Sequence, residues 1–227
     1  MNYLISYIEG TLEVMPREIT IKPVDKSKIY DGNVFYLEED CYEYNNSLYE
    51  LVSGHQLKIS VLTYLIDVGM ETVNISNYVI TNSDLEDVTN NYIVNLNSGT
   101  IEILVRPITY QYASDTKSYD SYYFFNDNYQ ITEGSLAINE NIRINDDSHM
   151  YKYVNVGIYQ NDYEFKIFTL YDKDVTSNYD ITYLYGSLEI TIVDLEVKSN
   201  SREKVYDGNP LFDYEVIINK GRIMDRD

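Results

Sequence analysis

The chain has 227 residues, a formal net charge of -20 and 44% hydrophobic residues. That apolar share is ordinary for a globular chain, so the charge does not mark disorder. It argues against nucleic acid or an anionic membrane as a partner, because a phosphate-rich surface repels it. Tyrosine dominates the aromatic residues, with 26 Tyr against 6 Phe and no Trp, a bias toward strands. The lone Cys41 cannot close an intrachain disulfide. No apolar run approaches the length that crosses a bilayer, so no membrane insertion is expected of this segment.

In chain order, residues 1–15 read as the C-terminal remnant of a truncated repeat, with NYLISYIEGTLEV over 2–14 as its last two strands. A full repeat over 16–104 opens on REITIKP, where Ile19 and Ile21 alternate with polar residues as a half-buried strand demands. A turn follows at Tyr30, Asp31 and Gly32. Later come LVSGHQLKISVL, a Val-Gly step at Gly69, the turn cluster DVTNNY from Asp87, and a strand that begins at Tyr92. Gly99 then reads as a turn glycine between that strand and GTIEI. A second full repeat over 105–192 repeats the order, with Tyr119 in the turn, Gly157 in the Val-Gly step, DVTSNY from Asp174, a strand from Tyr179, and Gly186 before SLEI. Residues 193–227 read as the N-terminal part of a further truncated repeat, which stops after its turn at Tyr206, Asp207 and Gly208.

Two independent markers keep one period. Gly10, Gly99 and Gly186 are spaced by 89 and 87 residues, and Tyr30, Tyr119 and Tyr206 by the same intervals. Tyr3, Tyr92 and Tyr179 fall into the same register. Seven or so short alternating strands per unit, punctuated by Gly, Asn and Asp, predict an all-β chain of tandem small immunoglobulin-like sandwiches. The tyrosine after each DVT turn is expected to bond back across the loop before its own strand, as in a tyrosine corner. A β-grasp with one short helix is the alternative fold.

The run KIYDGN or KVYDGNP after an opening strand, the Leu-x-x-Gly-His-x-Leu segment, the Val-Gly step, DVTxNYxI and GTIEI together resemble the MBG/YDG-type tandem repeats of large bacterial cell-surface proteins. The similarity runs over nearly the whole chain. It implies an extracellular, cell-wall-associated or secreted adhesin-like protein in which such modules form a stalk. Its partners would be the neighbouring repeats of the same polypeptide, with a host glycan or mucin as ligand in an adhesion role. The secretion signal and wall anchor would then lie outside this chain. Ser121 departs from the motif, standing where Gly32 and Gly208 stand; if that position needs a positive φ, serine costs about 1 kcal/mol and a different turn type is expected.

Catalytic signatures are absent: there is no GxSxG, HExxH or glycine-rich phosphate loop. His55 and His149 lie at non-equivalent places, and His55 reads as an exposed loop residue. No cofactor is expected. The histidines lack the four convergent ligands that zinc wants, and calcium is the ion that the acidic loops Asp84/Glu86/Asp87 and Asp172/Asp174 would suit, although their spacing matches no EF-hand and solvated loops are the commoner outcome. Tyr122, Tyr123, Phe124 and Phe125 form an irregular aromatic cluster and the first place to look for an exposed patch.

Overall fold

The computed structural model describes residues 2–144 and 147–226. The chain is all-β: its helical turns among the described residues are short 3-10 elements at Thr89–Asn91, Asp147–Tyr151 and Thr176–Asn178. It divides into two compact units, Met1–Val105 and Arg106–Asp227.

The first unit holds β1 (Arg17–Pro23), β2 (Lys26–Ile29), β3 (Phe35–Tyr36), β4 (Tyr42–Tyr44), β5 (Gln56–Val61), β6 (Tyr64–Leu65), β7 (Gly69–Val73), β8 (Ile75–Thr81), β9 (Tyr92–Leu96) and β10 (Gly99–Leu104). Its frame is a bent two-strand ribbon. β1 runs parallel to β9, from Arg17 opposite Tyr92 to Ile21 opposite Leu96, and β2 runs parallel to β10. The ribbon therefore begins in one sheet, β4-β1-β9, and ends in another, β2-β10-β7. The antiparallel pair β5·β8 packs over the first sheet, and Ile19, Ile21, Leu57, Ile59, Ile80 and Tyr92 make the core between them. Leu37, Val73 and Ile101 form a second cluster beside the other sheet.

In the second unit the strands are β11 (Arg106–Tyr112), β12 (Asp115–Ser118), β13 (Tyr129–Glu133), β14 (Glu140–Ile144), β15 (Gly157–Asn161), β16 (Phe165–Thr169), β17 (Tyr179–Leu184) and β18 (Gly186–Thr191), followed by β19 (Glu196–Ser199) and β20 (Val216–Lys220). β11 runs parallel to β17 and β12 to β18, so the same ribbon passes from β13-β11-β17 into β12-β18-β15. Tyr110 and Tyr112 stand where the first unit has Ile21 and Pro23, and the core becomes aromatic. The ring of Tyr110 is fully buried, stacked on Tyr129 at 4.8 Å and on Phe165 at 4.1 Å.

Gly99 and Gly186 are not turn glycines. Neither takes a positive φ; each is the first residue of its strand, β10 or β18, where the ribbon changes sheets. A Cβ on Gly99 would lie 2.4 Å from the Pro23 carbonyl oxygen, and one on Gly186 would lie 2.0 Å from that of Ala113. Glycine is needed there because two backbones touch. Residues 2–15, expected to be strands, carry none, and Leu4 and Leu12 are fully exposed. A strand without a neighbour has no ladder, and its backbone turns to water instead.

The turn at Ser121 is not of a different type either. Gly32, Ser121 and Gly208 share the left-handed conformation, at φ 78, 63 and 77°. Ser121 is also buried, and its hydroxyl finds no hydrogen-bond partner among the described residues. Two outcomes follow for chemical denaturation. Ser121→Gly raises stability by about 1 kcal/mol, by relieving the backbone and removing the unpaired hydroxyl. Gly186→Ala lowers it by about 3 kcal/mol, because the ribbon must part to admit the methyl group.

Candidate functional site

Each YDG-type turn is built from a lysine that the spacing argument passed over. Asp31 accepts from the Asn33 N–H at 2.9 Å, an Asx turn, while Lys28 Nζ donates to Asp31 at 2.6 Å and to the Asn33 carbonyl at 3.0 Å. Lys117 and Asp120 make the same clamp with Tyr122, and Lys204 and Asp207 make it with Asn209 and Pro210. Tyr30 and Tyr119 follow it into the ribbon, donating their N–H groups to Leu104 and Thr191 at 2.9 Å each. Tyr30 is buried, whereas Tyr206 is 92% exposed. Among the described residues after 192, no strand plays the part that β10 plays for Tyr30.

The DVT clusters are staples. Asp87 accepts from the Thr89 N–H and Thr89 Oγ1 accepts from the Ile80 N–H, both at 2.9 Å; Asp174, Thr176 and Ile167 repeat this at 3.0 and 2.9 Å. The tyrosine that follows does not bond across its own preceding loop. Tyr92 Oη accepts from the Val52 N–H at 3.1 Å and lies 2.7 Å from His55 Nδ1. Tyr179 Oη accepts from the Ala137 N–H at 2.7 Å and donates to the Glu140 carboxylate. A loop some forty residues upstream is thus tied to the ribbon, and Arg17 and Arg106 hold the same loop through the carbonyls of Glu50 and Ser135 at 2.6 Å. His55 is accordingly half-buried against Tyr92 rather than a free loop residue. Gly69 and Gly157 open β7 and β15, opposite Ile103 and Ile190.

Among the described residues no three His, Cys, Asp or Glu side chains gather where a metal ion could be held. In the two acidic loops considered for calcium, Glu86 accepts from Asn82, Asp172 pairs with Arg143, and Asp174 pairs with Lys166.

One surface has the composition of a binding site. At the sheet β13-β11-β17 three rings cluster: Tyr112, buried, lies 5.5 Å from Tyr185 and 6.4 Å from Tyr183, stacked on both, and Tyr183 and Tyr185 lie 6.2 Å apart with the rings 6° from parallel. Tyr183 and Tyr185 are about half exposed. Beside them is a cleft of about 330 Å³ lined by Gln111, Tyr112, Ser114, Asn128, Tyr129 and Gln130. Flat apolar faces next to amide and hydroxyl groups suit a ring-shaped polar ligand. The cluster at 122–125 is a weaker candidate, because Phe124 belongs to the core with Leu188 and Ile190, while Tyr122, Tyr123 and Phe125 are part exposed.

No family model matches the chain, and neither a curated protein nor a solved structure matches it.

Two expected outcomes test these contacts. Tyr179→Phe leaves the buried Ala137 N–H and the Glu140 carboxylate without the hydroxyl, and costs about 1–3 kcal/mol in urea denaturation. The Lys166 ammonium, with Thr176, holds the Asp174 carboxyl down at about 2. An unfolded aspartate titrates near pH ~3.9, so the unfolded chain takes up the proton first as pH falls. The stability this carboxylate contributes is full above about pH 4 and disappears toward pH 2. The urea midpoint of Asp174→Asn should consequently fall less over that interval than that of the unsubstituted protein.

Proposed function

We propose that this chain is a non-catalytic structural segment of an extracellular bacterial surface protein, made of tandem MBG/YDG-type modules that act as spacers. The observation that carries the reading is the parallel pairing of the first and last strand pairs of each full repeat. In the first unit the chain arrives at Arg17 and leaves at Leu104, at opposite ends of one ribbon about 40 Å long at ~3.3 Å per residue. Tension along the polypeptide slides β1–β2 against β9–β10 and strains their hydrogen bonds together. An antiparallel closure would let the bonds open one at a time. A module so wired resists stretching, which is what a stalk requires. The surplus of carboxylates keeps such modules hydrated and apart.

An immunoglobulin-like sandwich is the fold that best accommodates this. Its support is the pair of sheets that share one ribbon, and the alternative β-grasp wants a helix where the described residues offer turns of three to five residues. The natural partners are adjoining modules of the same polypeptide, and no cofactor is required.

A second reading is favoured by the tyrosine cluster at 112, 183 and 185: the second unit binds a host glycan or mucin. A glycan array separates the two. Saturable binding lost in Tyr185→Ala would make the module an adhesion element, and a blank array leaves the spacer. For the spacer itself, single-molecule extension should give two unfolding steps, each releasing about 300 Å of chain at ~3.5 Å per residue for full repeats of 89 and 88 residues. Their rupture force should exceed that of the same unit pulled across the β5·β8 pair. Equal forces in the two directions would contradict the reading.

A further inference from the structure

The cleft beside the tyrosine cluster has a counterpart in the first repeat, and the two differ in one consistent way. β11 pairs with β13 as β1 pairs with β4: Gln111 stands opposite Gln130 where the first repeat has Lys22 opposite Glu43, and Tyr112 opposite Tyr129 where it has Pro23 opposite Tyr42. Ala113 donates its N–H to the Asn128 carbonyl as Val24 does to that of Cys41, both at 3.0 Å. Ser114 Oγ accepts from the Ser187 N–H at 3.0 Å, as the Asp25 carboxylate accepts from the Thr100 N–H at 2.8 Å. The backbones match position for position, and the side chains do not.

In the first repeat the place is taken by charges that satisfy one another. Lys22 Nζ lies 2.8 Å from the Asp25 carboxylate and 2.9 Å from that of Glu43. In the second repeat all three are replaced by uncharged groups, Gln111, Ser114 and Gln130, and the cleft of about 330 Å³ lies among them. None of the residues that line it is charged, in a chain whose formal net charge is -20. Gln111 and Gln130 are exposed, and neither amide makes a hydrogen bond among the described residues. Tyr129 is part exposed, with its ring stacked on Tyr110.

We propose that this cleft takes an uncharged saccharide ring, a hexose or an N-acetylhexosamine, and turns away sialylated and sulfated sugars; the proposal rests on the reading of the second unit as a glycan-binding element. Two unspent amides on neighbouring strands each offer a donor and an acceptor, the pattern that adjacent ring hydroxyls or an acetamido group require. Tyr129 supplies a flat surface for the C–H face of the sugar, and Tyr112, which lines the same cleft, connects it to Tyr183 and Tyr185. The volume is near the lower end of small-molecule sites and suits one or two rings. A carboxylate or sulfate finds no cation in the lining to meet it, and the net charge of the chain repels it. In the first repeat the pair of Lys22 with Glu43 occupies the positions of the two amides, so binding is confined to the second.

The test is an NMR titration of the full chain with lactose, N-acetyllactosamine and their sialylated and sulfated derivatives. The diagnostic variant combines Gln111→Lys with Gln130→Glu, which transplants the ion pair of the first repeat onto the corresponding strands. Because Lys22 and Glu43 already occupy those places on the same backbone, the double variant keeps its melting temperature. Its affinity for neutral sugars falls by roughly tenfold or more, the factor that one lost hydrogen bond carries. Gln130→Ala, which adds no charge, weakens binding as well. Expected is saturable binding of the neutral sugars, weaker by roughly tenfold or more for the acidic derivatives. Equal or tighter binding of the acidic sugars, or binding that survives the glutamine substitutions while Tyr185→Ala removes it, overturns the proposal and leaves a glycan-binding second unit standing. No saturable binding of any of these sugars overturns both.

Discussion

The contact on which each unit depends is the crossing of two backbones at a glycine. Where β1 passes into β2, and β9 into β10, the strands leave one sheet for another and keep one register, and the carbonyl oxygen of Pro23 comes within 2.4 Å of where any side chain on Gly99 would begin. Only glycine permits that approach. Because it does, the ribbon resumes after the bend in the register it had before it, and Ile19 and Ile21 on one side of it and Ile101 and Ile103 on the other are all buried by the same pair of strands. The second unit makes the crossing at Gly186, so Leu188 and Ile190 take the places of Ile101 and Ile103.

Around that ribbon, short polar motifs do local work of modest size. A lysine–aspartate clamp finishes each YDG-type turn, a threonine staple satisfies a backbone N–H of β8 or β16, and a tyrosine hydroxyl fastens an upstream loop to β9 or β17. Hydrogen bonds of this kind contribute about 1 kcal/mol each when made, and leave a larger penalty when one partner is removed from a buried site. The exposed ion pairs add little. Their value is geometric: they fix where the ribbon starts and stops, and so the register in which the isoleucines face inward.

Much of this was legible in the sequence, for identifiable reasons. The period of the glycines and turn tyrosines, and the alternation of apolar residues on β1, β10 and β18, gave the all-β class and the positions of the strands. A single chain gives no signal for which strands lie side by side. Hence Gly99 and Gly186 read as turns, although their constraint comes from carbonyls some seventy-five residues away. The same blindness to distant partners misread Tyr92 and Tyr179 as corner residues and His55 as free. Lys28, Lys117 and Lys204 do keep the 89- and 87-residue period, and a search for periodic charges beside the turn aspartates would have found them. The tyrosine cluster had no such signal, because Tyr112 and Tyr185 become neighbours only through the parallel pairing of β11 with β17.

If the ribbon holds each unit together, it should also be the last part to open. Native-state hydrogen exchange followed by NMR reads this directly, since the amides of the most stable element exchange only through global unfolding. The account predicts that the ladder amides of residues 17–29 with 92–104, and of 106–118 with 179–191, are the slowest in their units and share one free energy of exchange. Slower exchange in β5·β8 or β14·β16, with the ribbon opening first, would contradict it.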